Sequence, residues 1–139
     1  MNDFVHHNPV KVIFGRHALA QTGKEASEYG NTALLVYGKK SLTSSGTLAL
    51  ITEALNKSDV HIIEHQGVNP NPVLSFVHDG IDKARTHNCS LVIGAGGGSV
   101  MDTAKAVASG VPVSHDIWKF FTGKKTVKES LPVMTIPTC

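Results

Sequence analysis

Cysteine is scarce: Cys89 and Cys139 are the chain's two, they can close at most one disulfide, and 139 residues build a core without one. A reducing, cytoplasmic setting is therefore expected. Charge is also sparse. Charged residues make up 17% of the chain, the net charge is +2, and no basic stripe is visible, which argues against nucleic acid as a partner. The longest apolar runs, such as Val10 to Phe14 and Leu91 to Ala95, fall far short of the ~20 residues of a membrane span. The first residues, Met1 to Phe4, have neither a basic start nor an apolar stretch, so no secretory leader is expected.

Hydrophobic residues account for 41% of the chain, a composition that folds and does not stay disordered. The length suits a single domain, which buries roughly two thirds of its unfolded surface. Strands are expected at Val10–Phe14, Ala33–Tyr37, Val60–Ile63, Leu91–Ile93 and Leu131–Ile136, where β-branched or continuous apolar residues meet turn signals. Helices are expected between them. One runs from Ala18 to Tyr29 and is stopped by Gly30, and another carries Leu48, Ile51 and Leu55 on one stripe. A third starts at Asn71 as cap with Pro72 in its first turn and buries Val73, Val77, Ile81 and Ala84. A fourth spans Val100 to Ser109. Strictly alternating strands and helices predict an α/β fold, a Rossmann-like open parallel sheet with helices on both faces. Val113 to Lys128 reads as a long loop pinned by Trp118, Phe120 and Phe121. The chain stops at Thr138 and Cys139, just past a strand end where such sheets place their ligand, so a piece of a longer polypeptide is expected.

Gly96-Gly97-Gly98-Ser99 lies between a buried strand and a helix. A phosphate needs backbone free of Cβ atoms and the first amides of a helix, and this segment offers both. Ser99 is expected to cap the helix or to donate to a phosphate oxygen, and Asp102 to face the same mouth one turn later. The pattern is neither the usual dinucleotide fingerprint nor a GxxxxGK[ST] loop, and a tight turn without ligand is the competing reading. Gly38-Lys39-Lys40-Ser41 closes the second strand without a carboxylate. An acidic residue there would hold a ribose diol, whereas glycine with basic and hydroxyl neighbours leaves room for a 2′-phosphate, which favours NADP over NAD.

The eight histidines form no legible metal set. His61 and His65 have a metal-pair spacing only on a helix, and their surroundings predict a strand. All eight read as solvated, and Cys89 as buried.

Asn8-Pro9, Val12-Ile13-Phe14-Gly15, Gly67-Val68-Asn69-Pro70-Asn71-Pro72, Gly96 to Lys105, Asp116-Ile117-Trp118 and Thr135-Ile136-Pro137-Thr138 occur in the order seen in iron-containing (group III) alcohol dehydrogenases. The chain resembles that family along its whole length, and its butanol dehydrogenase branch most. The resemblance implies that residues 1–139 are the dinucleotide-binding domain of an NAD(P)-dependent enzyme interconverting primary alcohols and aldehydes by hydride transfer. It places the cofactor pyrophosphate on Gly97, Gly98 and Ser99, the adenosine side near Asn71, the nicotinamide end near Asp102, and Thr138 against the cofactor. Gly38 stands where NAD-preferring members carry aspartate. Cys139 replaces the second threonine of the family's last stretch.

The family's metal, Fe2+ or Zn2+, is held by an aspartate and histidines of a second, all-helical domain that these residues do not include. No catalytic or metal residue is therefore expected here, and the isolated chain is expected to be inactive. A homodimer is implied. Glycerol dehydrogenase-like and dehydroquinate synthase-like enzymes share the architecture, and a non-catalytic nucleotide-binding module is a further alternative.

Overall fold

The computed structural model describes residues 3–138. Four parallel strands form one sheet: β1 (Thr32–Gly38), β2 (His61–Val68), β3 (Leu91–Gly96) and β4 (Val133–Pro137), in the spatial order β2-β1-β3-β4. The helices are α1 (Thr22–Ser27), α2 (Ser41–Ser44), α3 (Thr47–Lys57), α4 (Leu74–Thr86), α5 (Gly98–Gly110) and α6 (Trp118–Phe121). A single 3-10 turn, Leu19–Gln21, leads into α1.

The alternation of β1 explains the layering. Leu34 and Val36 pack on one face against Val77 and Ile81 of α4 and Ala104 and Val107 of α5. Leu35 and Tyr37 pack on the other against Ala26 of α1 and Ile51 and Leu55 of α3. Each leucine or valine buried this way contributes about 1.5–3 kcal/mol. Because both faces of β1 and β3 are covered, their buried stretches, Ala33–Val36 of β1 and Leu91–Ile93 of β3, are continuously apolar. Helices do lie on both faces of a parallel sheet, as expected.

Several expectations are corrected. Val10–Phe14 is not a strand: no ladder partner exists for it among the described residues, and β-branched residues without one gain nothing from extension. Val12 and Phe14 are 80% and 99% exposed, and the segment is tethered by a Lys11–Glu25 ion pair. The helix expected over Ala18–Tyr29 is shorter at both ends. Gly30 follows it at φ +143, and a Cβ there would strike the Ser90 side chain. β2 extends well past Ile63, through Glu64, His65 and Gln66. Asn71 does not cap α4: Val73 stands at the position before the helix, in extended conformation, makes no side-chain cap, and is exposed where burial was expected. α4 therefore starts at Leu74, two residues later than expected. Within 113–128 the short helix α6 appears, and buried Ile117 anchors it, while Trp118 and Phe121 are 53% and 64% exposed. No helix of the described residues is long and apolar enough to cross a membrane.

Candidate cofactor site

β1 is followed in the sheet by β2 on one side and by β3 on the other, so the chain reverses its direction of travel between β1 and β3. Open α/β sheets bind ligands in the crevice outside the strand ends at such a reversal. Tyr37 pairs with Ala95, which puts Gly38 and Gly96 side by side at the carboxyl ends of these two strands. The two glycine-containing segments singled out in the sequence are thus brought together at one place.

The glycine loop divides its labour. Gly96 has φ +153, and a Cβ on it would meet Val100 Cγ2 at 2.7 Å, so its role is internal: a turn packed against the next helix. Gly97 and Gly98 face open space, with no atom within 4 Å of an added Cβ, and the same holds for Gly38. Bare backbone therefore borders the crevice from both strands. α5 begins at Gly98 with no side-chain cap, which leaves its first amides to an anionic ligand and to the positive end of a helix of 13 residues. A pyrophosphate would fit this donor set.

Ser99 does not cap α5. Its hydroxyl donates to the Pro70 carbonyl, and its own carbonyl accepts the Thr103 hydroxyl at 2.7 Å. Pro70 is a participant that local sequence could not reveal, since the contact joins segments 29 residues apart. It brings the Asn69–Pro72 segment, with exposed Asn71, to the edge of the glycine loop. On the other side the Thr138 amide donates to the Gly96 carbonyl at 3.1 Å, which seats Thr138 beside the loop. Cys139 lies outside the described residues. Lys39 and Lys40 are exposed beyond Gly38, and Ser41 opens α2. The Asp102 carboxylate makes no hydrogen bond to the glycine loop. It is 72% exposed, 3.8 Å from Lys105 Nζ, and borders an open groove of about 530 Å³ with Pro72, Trp118 and Phe121.

Two polar contacts behind the crevice were not anticipated. Tyr37 donates its hydroxyl to Glu64 Oε2 at 2.6 Å, and burial followed by this bond pushes the phenol up to about 12. His65, read as solvated, is buried. It stacks on Phe76 with ring centroids 3.9 Å apart, and its Nε2 donates to the Phe76 carbonyl at 2.8 Å. Period-two alternation in β2 held this signal, which the β-branched pair Ile62 and Ile63 masked.

A model of the iron-containing alcohol dehydrogenase family matches residues 9–139. The chain belongs to that family. Among curated proteins it is 40% identical over 138 residues to a probable NADH-dependent butanol dehydrogenase 2 of Bacillus subtilis, covering 99% of this chain and 35% of that one. It is 32% identical to the NADPH-dependent aldehyde reductase YqhD of Escherichia coli, covering 99% and 36%. Among solved structures, NADH-dependent butanol dehydrogenase A of Thermotoga maritima superposes with a TM-score of 0.96 at 40% identity, over 99% of this chain and 35% of that one. The resemblance to the butanol dehydrogenase branch is borne out. The chain spans about a third of the length of these relatives. Among the described residues, no group of three His, Cys, Asp or Glu side chains is placed to hold a metal ion. The iron of this alcohol dehydrogenase family thus has no ligand set among the described residues.

Proposed function

We propose that residues 1–139 form the dinucleotide-binding domain of an NADP-preferring alcohol dehydrogenase that interconverts primary alcohols and aldehydes, with iron held by residues of a longer polypeptide. The observation that carries this reading is the crevice between β1 and β3, bordered by the bare backbone of Gly38 on one side and Gly97–Gly98 on the other. The family and the names of the relatives support a nicotinamide cofactor, NADH for some and NADPH for another.

The preference for NADP rests on Gly38-Lys39-Lys40-Ser41. A carboxylate at this strand end would bind a ribose diol and repel a 2′-phosphate, and two ammonium groups do the opposite. When bound, the cofactor supplies the hydride acceptor or donor. This chain's residues bind and orient it: the amides of Gly97, Gly98 and Ser99 hold the pyrophosphate, Asn71 borders the adenosine side, Thr138 closes the opposite wall, and Asp102 lies toward the nicotinamide end. A homodimer in the cytoplasm belongs to the same proposal.

The test is steady-state reduction of butanal by the full-length polypeptide loaded with ferrous iron, with NADPH or NADH as donor. The reading expects turnover with both and a higher kcat/KM for NADPH, and no turnover by the 139-residue chain alone. Turnover of NADH alone would overturn the cofactor preference. Absence of turnover with either donor over a range of primary aldehydes would overturn the reaction.

A further inference from the structure

β2 slips out of register with β1 where the proposed cofactor-discriminating loop begins. Tyr37 pairs with Gln66, but Gly38 pairs with Val68, so Gly67 is the additional residue of a β-bulge. Gly67 has φ +117, a conformation that favours glycine. Bulges bend a strand and re-aim the side chains beside them. Here the neighbour is Gln66, whose Nε2 donates to the Lys39 carbonyl at 3.0 Å across 27 residues of sequence. The residue on the other side of Gly38 is held as well, since Tyr37 is bonded to Glu64. Among the described residues, no other side chain hydrogen-bonds the backbone of 38–40.

We propose that Gln66 is a positioning residue that sets the coenzyme preference: it holds the Lys39 peptide so that the Lys39 and Lys40 ammonium groups converge on an adenosine 2′-phosphate. This rests on the NADP reading of the same loop. The chemistry favours an amide at this place. Gln66 donates to the carbonyl without bringing charge, whereas a carboxylate could not donate and would itself pair with the lysines. Two long lysine side chains lose conformational freedom when they clamp a phosphate, and a backbone already fixed lowers what remains to be ordered. NADH has no group for these lysines to hold, so its binding does not depend on the restraint.

The experiment compares the full-length polypeptide with three variants: Gln66→Met, similar in length but without a donor, Gln66→Glu, and the double variant Lys39→Ala/Lys40→Ala. Dissociation constants for NADPH and NADH are measured by fluorescence titration, with thermal unfolding as a check on folding. Gln66→Met is expected to weaken NADPH about 3–10-fold, the loss of one hydrogen bond, and to leave NADH within about twofold. Gln66→Glu is expected to cut the NADPH preference at least as far. If the double lysine variant lowers the preference while both Gln66 variants keep it, the role of Gln66 is overturned and the NADP reading stands. If Gln66→Met weakens both coenzymes equally, its role is structural and the proposal fails. If the unaltered protein shows no preference and the lysine variant changes nothing, the NADP reading falls and takes this one with it.

Discussion

The Ser99 hydroxyl donates a hydrogen bond to the Pro70 carbonyl, joining the loop after β3 to the loop after β2. β1 lies between those strands, so the two loops meet over its carboxyl end, where Gly38 borders the crevice. A serine hydroxyl expected to serve a helix cap or a phosphate instead braces the wall of the site.

Replacing Ser99 by alanine tests the brace. The net value of one such bond is about 0.5–1.5 kcal/mol, so Ser99→Ala should lower unfolding stability by that amount in urea denaturation. NADPH affinity should fall in the same variant, since both loops border the crevice. Unchanged stability with unchanged affinity would show that the contact is idle.

Gly97 and Gly96 should respond in opposite ways. Gly97 has φ −79 and open space where a Cβ would go, so Gly97→Ala should fold with undiminished thermal stability. Its methyl group would nonetheless occupy the approach of the pyrophosphate, and NADPH binding should weaken by about tenfold or more, the scale of losing a charge-assisted contact. Gly96→Ala should instead destabilise the fold by about 1–3 kcal/mol, through positive φ and collision with Val100. Calorimetry and titration together separate the two.

His65 makes stability depend on pH. Burial, reinforced by the Lys83 charge, holds its imidazole below the ordinary value, against the opposing pull of the Phe76 carbonyl and Asp79. The folded state therefore favours the neutral ring. The resulting stability is fully present above the unfolded value of about 6.5 and is lost as pH falls through the lower folded value. Urea midpoints should drop between neutral and mildly acidic pH, and His65→Gln should flatten that slope. An identical slope in the variant would locate the titration elsewhere.

Burial pushes the Cys89 thiol up to about 11 and leaves little of it exposed. Iodoacetamide at pH 8 should leave Cys89 unmodified in the native protein and modify it in denaturant, as peptide mass mapping would show. Rapid native labelling of the Cys89 peptide would mean that the loop before β3 opens readily.

The parts of the fold legible in the sequence were those whose signal is local. Leu34 to Val36 and Leu91 to Ile93 are covered on both faces, so continuous apolar runs announced β1 and β3. Gly96 to Ser99 announced a strand-to-helix turn open to a ligand for the same reason, since backbone without Cβ atoms is visible in the letters themselves. What was missed depends on partners distant in sequence. Val10–Phe14 has strand-forming residues but no described strand beside it. His65 looks like a solvated polar residue until α4 is placed against it, and nothing local marks Gln66 as the donor to the Lys39 carbonyl. Pro70 offers only a carbonyl, which every residue has, so nothing marked it as the acceptor for Ser99.

The central claim is that the crevice between β1 and β3 receives the cofactor, and a crystal structure of the full-length polypeptide with NADPH tests it most directly. The account predicts the pyrophosphate within hydrogen-bonding distance of the Gly97, Gly98 and Ser99 amides, with the 2′-phosphate beside Gly38, Lys39 and Lys40. A cofactor bound away from these amides, or a pyrophosphate held by side chains elsewhere, would contradict it.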